Sequence, residues 1–144
     1  MRFDTTQLDG ALLIGLEPAS DRRGFFARTF CTREFGEHGL ETTFVQHSTS
    51  YSNKRGRICG MHFQREPAAE VKVVNCVHGA IYDVIVDLRK CSPTYRCWQG
   101  FELSAENRRR LYIPAGYAHG FQTLSDDAQV EYCPSAGFSG HVSV

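Results

Sequence analysis

The sequence predicts an all-β protein: a double-sheet jelly roll carrying one short helix. Two observations lead there. From residue 43 onward, short runs of β-branched, aromatic and aliphatic residues alternate with Gly, Pro, Asn and Asp. Their spacing of roughly 8–12 residues is that of a sandwich or barrel rather than of β-α-β units. Against these runs stands one helical signal, Thr32 to His38, stopped by Gly39. The chain has 144 residues and 42% apolar content, enough for one domain with a real core. So many strands close most simply as two facing sheets.

Taken in order, Ala11 to Leu16 is a short apolar strand ended by Pro18 and the turn formers Ser20-Asp21. Gly24 to Phe30 is an aromatic-rich second strand. After the helix, Thr43 to Tyr51 is polar and β-branched, and Asn53 to Gly56 turns the chain into Arg57 to Gln64. Pro67 breaks the pattern before Glu70 to Val77, and His78-Gly79 makes a tight turn into Ala80 to Leu88. Ser92-Pro93-Thr94 separates that strand from Cys97 to Ser104, and Glu106-Asn107-Arg108 leads into Arg109 to Ile113. Tyr117 to Leu124 and Ala128 to Tyr132 complete the series. Gly60–Gln64, Val71–Val77 and Ala80–Leu88 are expected as neighbouring strands. No linker, low-complexity tract or internal repeat divides the chain, so residues 1–144 read as a single domain.

Composition narrows the function. A formal net charge of zero gives no electrostatic footprint for nucleic acid or an anionic membrane. No apolar run reaches the ~18 residues of a membrane helix. The N-terminus, Met1-Arg2-Phe3-Asp4-Thr5-Thr6, lacks the layout of a secretory signal, so a cytoplasmic protein is expected. The six cysteines contain no C-x-x-C pair and read as reduced thiols in small core or surface positions.

Candidate chemistry centres on Gly60-Met61-His62-Phe63-Gln64. In a strand, Gly60, His62 and Gln64 share one face, which is polar and able to move a proton, while Met61 and Phe63 take the other. Asp83 interrupts the apolar strand Ile81 to Leu88 on the face of Ile81 and Ile85. A buried carboxylate there needs a partner, and a histidine is the obvious one. His62 and Asp83 are therefore expected to face one interior. Lys72 shares a face with Glu70, Val74 and Cys76; the plain reading is an edge-strand lysine with a solvated head.

Pro114-x-Gly116-x-x-His119 looks like the second half of the cupin signature, whose histidine is a metal ligand. The first half, His-x-His in metal-binding cupins, reads His62-Phe63-Gln64 here. A neutral amide replaces one ligand, so no metal is expected. Neither a phosphate loop nor a hydrolase elbow is present. Arg22-Arg23, Arg28 and Lys54-Arg55-x-Arg57 are either solvated surface or a pyrophosphate clamp, since arginine forks suit phosphate oxygens.

Several motifs in order carry a family likeness: Arg23-Gly24-Phe25-Phe26, Gly60 to Gln64, Tyr82-Asp83-Val84-x-Val86-Asp87-Leu88-Arg89, Ser92 to Tyr95, Leu103 to Asn107 and Ile113 to Phe121. From about residue 11 to about 133 the chain resembles the dTDP-4-dehydrorhamnose 3,5-epimerases. That resemblance implies a cupin-like jelly roll without metal or organic cofactor, acting on a dTDP-4-keto-6-deoxyhexose at C3 and/or C5. It implies a homodimer that exchanges N-terminal strands. It makes His62 the base, Lys72 the stabiliser of the enolate oxygen and Tyr132 the acid on the opposite face. Asp83 and His119 become a hydrogen-bonded pocket pair, Gln46 a lining residue, and Arg23 and Phe26 the holders of the nucleotide diphosphate, possible in a neighbouring subunit's site.

The chain also departs from that pattern. Cys59 stands where the family usually carries a phosphate-contacting arginine, with Arg57 two residues away as a partial substitute. Arg28 stands where a glutamate is common, and Gly137 where a tyrosine is. The resemblance further implies a C-terminal segment whose aspartate pairs with the base, and the chain ends at Val144 without it. The readings left open are a double epimerase, a mono-epimerase, a ketoisomerase on the same barrel, and a non-catalytic nucleotide-sugar-binding relative.

Overall fold

The protein's structure is a computed structural model describing residues 1–140. Those residues form, in chain order, β1 Arg2–Thr5, β2 Leu12–Gly15, β3 Ala19–Asp21, β4 Gly24–Phe26, α1 Thr32–Glu37, β5 Ser48–Ser52, β6 Ile58–His62, β7 Lys72–His78, β8 Ala80–Asp87, β9 Trp98–Ser104, β10 Arg109–Ile113, β11 Tyr117–Thr123 and β12 Ala128–Pro134. A six-stranded sheet, β1-β2-β10-β7-β12-β5, faces a four-stranded sheet, β6-β11-β8-β9, and β3-β4 stands apart as a hairpin. This is the expected all-β, double-sheet architecture with one short helix.

Alternation along the strands explains the layering. In β8, Ile81, Asp83, Ile85 and Asp87 are fully buried, while Tyr82 points to solvent. Ile81 and Ile85 join Val74, Cys76, Phe101, Leu103, Leu111 and Val130 in the core between the sheets. The opposite face of the six-stranded sheet is apolar too. There Ile14, Val73 and Tyr112 pack with Phe35, the one buried residue of α1, and with Phe3, Phe30 and Phe44. The helix and its flanks thus cover the outer face of the larger sheet. The outer face of the smaller sheet stays bare, with Ile58, Met61, Tyr82 and Trp98 exposed.

Four expectations need correction. Residues 60–64, 71–77 and 80–88 are not neighbours: β11 lies between β6 and β8, and β7 belongs to the facing sheet. The cause is the link between β7 and β8, a lone Gly79 at φ 72°. A Cβ there would lie 2.2 Å from Ser125 Oγ and 3.2 Å from Ala128 Cα, so the chain turns this corner only with glycine. The tight turn is real, but it carries the chain from one sheet to the other instead of closing a hairpin.

Second, Lys72 is not an edge lysine. β7 sits inside its sheet between β10 and β12, and Lys72 is only 9% exposed. Third, β6 is not regular. His62 pairs with His119 and Cys59 with Phe121, so the register shifts between them. That bulge puts Cys59, rather than Gly60, on the face of His62. It also brings the β6 backbone against Gly120, where a Cβ would meet the Cys59 carbonyl at 2.8 Å. Fourth, the N-terminal third was read too coarsely. β1 went unseen, Ser20-Asp21 belongs to β3 instead of a turn, and the strand expected over 24–30 ends at Phe26. Likewise only Ser48–Ser52 of the stretch from Thr43 pairs in a sheet.

Candidate active site

Between the two sheets lies a cavity of about 260 Å³. The four-stranded sheet contributes Cys59, His62, His119 and Phe121 to its wall, and the six-stranded sheet Ser48, Ser50, Lys72, Val130 and Tyr132. Gln46, Gln64, Glu70, Pro134 and Phe138 complete the lining. Residues from β6, β7, β11 and β12 converge because register sets them on inward faces: His62 lies opposite His119, and Tyr132 opposite the core residue Val74.

His62 ends β6, with its Nδ1 3.0 Å from the Gly60 carbonyl oxygen. A carbonyl only accepts, so Nδ1 carries the proton and donates it. Nε2 is left with a lone pair, the form a general base requires. Partial burial pushes the His62 pKa below its ordinary 6.5, with the nearby Lys72 ammonium acting in the same direction. The Gly60 carbonyl and Glu70 oppose the shift less strongly. His62 is thus held neutral around pH 7 by its surroundings.

His119 stands edge-on to His62, ring centroids 5.4 Å apart. Its Nε2 lies 2.8 Å from Asp83 Oδ2. Asp83 is fully buried behind it and does not reach the cavity lining. The carboxylate accepts the Nε2 proton, which fixes the ring and leaves Nδ1 without a partner among the described residues. His62 and Asp83 do therefore share one interior, but His119 stands between them.

On the facing wall, Lys72 Nζ lies 2.9 Å from Glu70 Oε1, with both side chains about nine-tenths buried. Tyr132 is half-buried and packs on the edge of the inner core. Gln64, at the position of the second cupin histidine, is spent on backbone contacts. Its Nε2 donates to the carbonyls of Ala68 at 3.1 Å and Gly137 at 3.2 Å, and its Oε1 accepts from the Ser139 N–H at 2.6 Å. The amide thus clasps residues 137–139 and sets Phe138, 76% exposed, against the cavity.

The proposed nucleotide-holding residues are elsewhere in the single chain. Arg23 and Phe26 lie on the exposed β3-β4 hairpin, and Arg23 pairs with Asp21 at 2.6 Å. Arg57 is exposed, its backbone N–H donating to Thr123 Oγ1 and its carbonyl accepting from the Thr123 N–H, and it does not line this chain's cavity as Cys59 does. Gln46 does line the cavity. Sequence reasoning passed over Ser48, Ser50, Phe121 and Phe138, and treated Glu70 only as a companion of Lys72. The serines had a signal: Ser48, Ser50 and Ser52 alternate, putting small hydroxyls on one strand face.

Residues 5–142 match the family described as dTDP-4-dehydrorhamnose 3,5-epimerase. A dTDP-4-dehydrorhamnose 3,5-epimerase of Methanothermobacter thermautotrophicus is 51% identical over 131 residues, spanning 91% of this chain and 70% of the relative. The crystal structure of a dTDP-4-dehydrorhamnose 3,5-epimerase from Bacillus anthracis, with TDP and PPi bound, superimposes with a TM-score of 0.95 at 41% identity, covering 99% of this chain and 81% of that one. A Legionella pneumophila dTDP-6-deoxy-D-glucose-3,5-epimerase in complex with dTDP-4-keto-L-rhamnose gives a TM-score of 0.92 at 35% identity, covering 99% and 75%.

Proposed function

The chain belongs to the dTDP-4-dehydrorhamnose 3,5-epimerase family, and from that premise we propose that its cavity inverts a dTDP-4-keto-6-deoxyhexose at C3 and C5 by removing and returning protons. It is an epimerase of dTDP-sugar biosynthesis with a cupin-like fold. The ketone acidifies the neighbouring C–H bonds. His62 Nε2 takes the proton, the electron pair of the C–H bond moves into the enolate, and Lys72 stabilises the charge on its oxygen. Tyr132 returns a proton to the other face of the carbon. Asp83 holds His119 in place beside the base.

The observation that supports this most is the division of groups between walls. A histidine with a free Nε2 is on one sheet, and Lys72 and Tyr132 are on the sheet opposite. Inversion needs a base and an acid on opposite sides of one carbon. Proton NMR of dTDP-4-keto-6-deoxyglucose with the protein in deuterated water tests the reading. Exchange at C3 and C5 is expected. Exchange at C3 alone makes it a mono-epimerase, and no exchange overturns catalysis in favour of a nucleotide-sugar-binding role.

The working unit we propose is a homodimer of single-domain chains. The bare outer face of the four-stranded sheet, with Ile58, Met61, Tyr82 and Trp98 exposed, offers an apolar contact, and the β3-β4 hairpin carries Arg23 and Phe26 away from the chain's own cavity. An N-terminal arm crossing to a second copy brings that arginine to the partner's diphosphate. Light scattering should give twice the chain mass, with Trp98→Glu shifted towards monomer; a wild-type monomer at micromolar concentration overturns the dimer. Among the described residues no helix is long and apolar enough to cross a membrane. The reading places the enzyme in the cytoplasm with its water-soluble substrate.

A further inference from the structure

We propose that Glu70 is a positioning residue of the epimerisation, the counter-ion that holds the Lys72 ammonium against the cavity wall until negative charge appears on the substrate. The inference rests on the epimerase reading above and deepens it.

The geometry is that of a buried pair facing the reaction space. Glu70 and Lys72 have side chains 8% and 11% exposed, 2.9 Å apart, and both line the cavity. They lie two residues apart, Lys72 opening β7 on the face that carries the core residues Val74 and Cys76 and Glu70 just ahead of that strand. Val71 between them turns the other way and packs against the outer cluster. Its N–H donates to Ser135 Oγ at 2.9 Å, and its carbonyl accepts from the Ser135 N–H at 2.9 Å. The backbone bearing Glu70 is thereby tied to the segment after β12, so the carboxylate is held in place rather than free to leave with solvent.

Charge bookkeeping gives the pair its task. Among the described lining residues Glu70 is the sole carboxylate and Lys72 the sole ammonium. Asp83 sits behind His119 and is engaged by it. The charges of the lining are therefore balanced. When the C–H bond breaks, its proton bonds to His62 Nε2 and its electron pair becomes the enolate. One positive and one negative charge appear together, and the balance is kept. Lys72 has three donors, so it can reach the enolate oxygen while still bonded to Glu70. Such an interaction is stronger in the transition state than before it, which is what accelerates the step.

Without the carboxylate, the cavity carries an unbalanced positive charge before any reaction. That charge attracts the anionic substrate in the ground state and disfavours protonation of His62. The groups around His62 are Cys59 on its own strand, Lys72 and Glu70 at β7, His119 with Asp83 behind it on β11 and β8, and Tyr132 on β12. Only Glu70 among those reaching the cavity offsets Lys72, and it acts on His62 in the opposite direction to Lys72.

The test uses the full chain carrying Glu70→Gln, which keeps shape and removes charge. Expected are a kcat lower by about tenfold, less than the ~10²–10⁴-fold of a group that itself moves the proton, a KM equal to or below that of wild type, and an acid limb of kcat/KM displaced to lower pH. In the Lys72→Met background, Glu70→Gln should cost nothing further, because Glu70 acts through Lys72. Glu70→Asp should keep the wild-type acid limb at reduced kcat, and it carries the test if Glu70→Gln fails to fold by circular dichroism. Wild type that exchanges deuterium while Glu70→Gln matches it in kcat and acid limb overturns this inference alone. So does an additive loss in the double variant, or an acid limb of Glu70→Asp displaced from that of wild type. Wild type without exchange overturns the epimerase reading itself.

Discussion

His62→Ala should abolish solvent-deuterium exchange at the sugar carbons while dTDP still binds. The substitution removes the one cavity imidazole whose Nε2 is left unprotonated by its other contact, the Gly60 carbonyl at Nδ1. His119 cannot take over, because its Nε2 is engaged by Asp83 and its Nδ1 is buried. General acid–base groups contribute ~10²–10⁴-fold, a loss well outside the effect of a modest folding defect. Nucleotide affinity, drawn from groups remote from His62, is expected to stay within about threefold, well under a kilocalorie on the scale where tenfold is ~1.4 kcal/mol. Tyr132→Phe should differ by leaving the base intact, so exchange at one carbon persists while inversion fails. The pH dependence follows from the same residue. His62 works neutral, and its folded pKa lies below 6.5. Activity should hold through pH 6.5 and fall only as pH drops through that depressed value. Stability shifts the same way: the unfolded chain binds this proton more readily, so the contribution is full above the unfolded pKa and lost on acidification. His62→Ala exchanging as fast as wild type would sink the mechanism.

How much of this was legible beforehand differs by element. Strand runs with period two, such as Ile81 to Asp87, declare both their conformation and their buried face, because alternation is local and each inward residue is apolar or specially partnered. The same logic called for a histidine partner to the single buried carboxylate Asp83; that this histidine is His119 was implied by the family resemblance alone. Pairing order was not legible. Nothing in His78-Gly79 distinguishes a hairpin from a corner between sheets; the corner is decided by Ser125 and Ala128, some fifty residues away, which crowd Gly79. The bulge in β6 was hidden for a like reason. It depends on Gly120 letting the Cys59 carbonyl approach, a contact between strands that no window on one strand contains. Lys72 was misread because a charge in an apolar run is usually at an edge; its partner Glu70, two residues earlier, was the available sign that it is not. Arg23 and Phe26 illustrate a different limit: in the dimer proposed above their hairpin serves a second copy and has no reason to point at its own cavity.

The second large effect is expected for Lys72→Met, which keeps the length of the side chain and removes the ammonium. Lys72 is 9% exposed in a central strand, so its charge acts in a setting where water screens little. Removing a preorganised group that stabilises a developing oxyanion costs ~10²–10³-fold in kcat, and exchange should slow at C3 and C5 alike, because both carbanions delocalise onto the same ketone oxygen. KM should rise less than kcat falls, since the enolate charge is absent from bound substrate. The substitution also leaves Glu70 buried beside an apolar chain. Breaking such a pair from one side destabilises by ~3–5 kcal/mol when burial is complete, and the figure here falls below that range because the pair borders a cavity. Thermal melting and circular dichroism separate the two effects: a folded Lys72→Met variant with a lowered midpoint and 10²–10³-fold slower exchange is the expected result. Lys72→Arg, with the charge kept, should melt nearer to wild type and recover part of kcat. If Lys72→Met exchanges within about threefold of wild type, a change under ~1 kcal/mol on the barrier, the ammonium does not meet the enolate and the oxygen's charge must be held by other groups of the cavity wall.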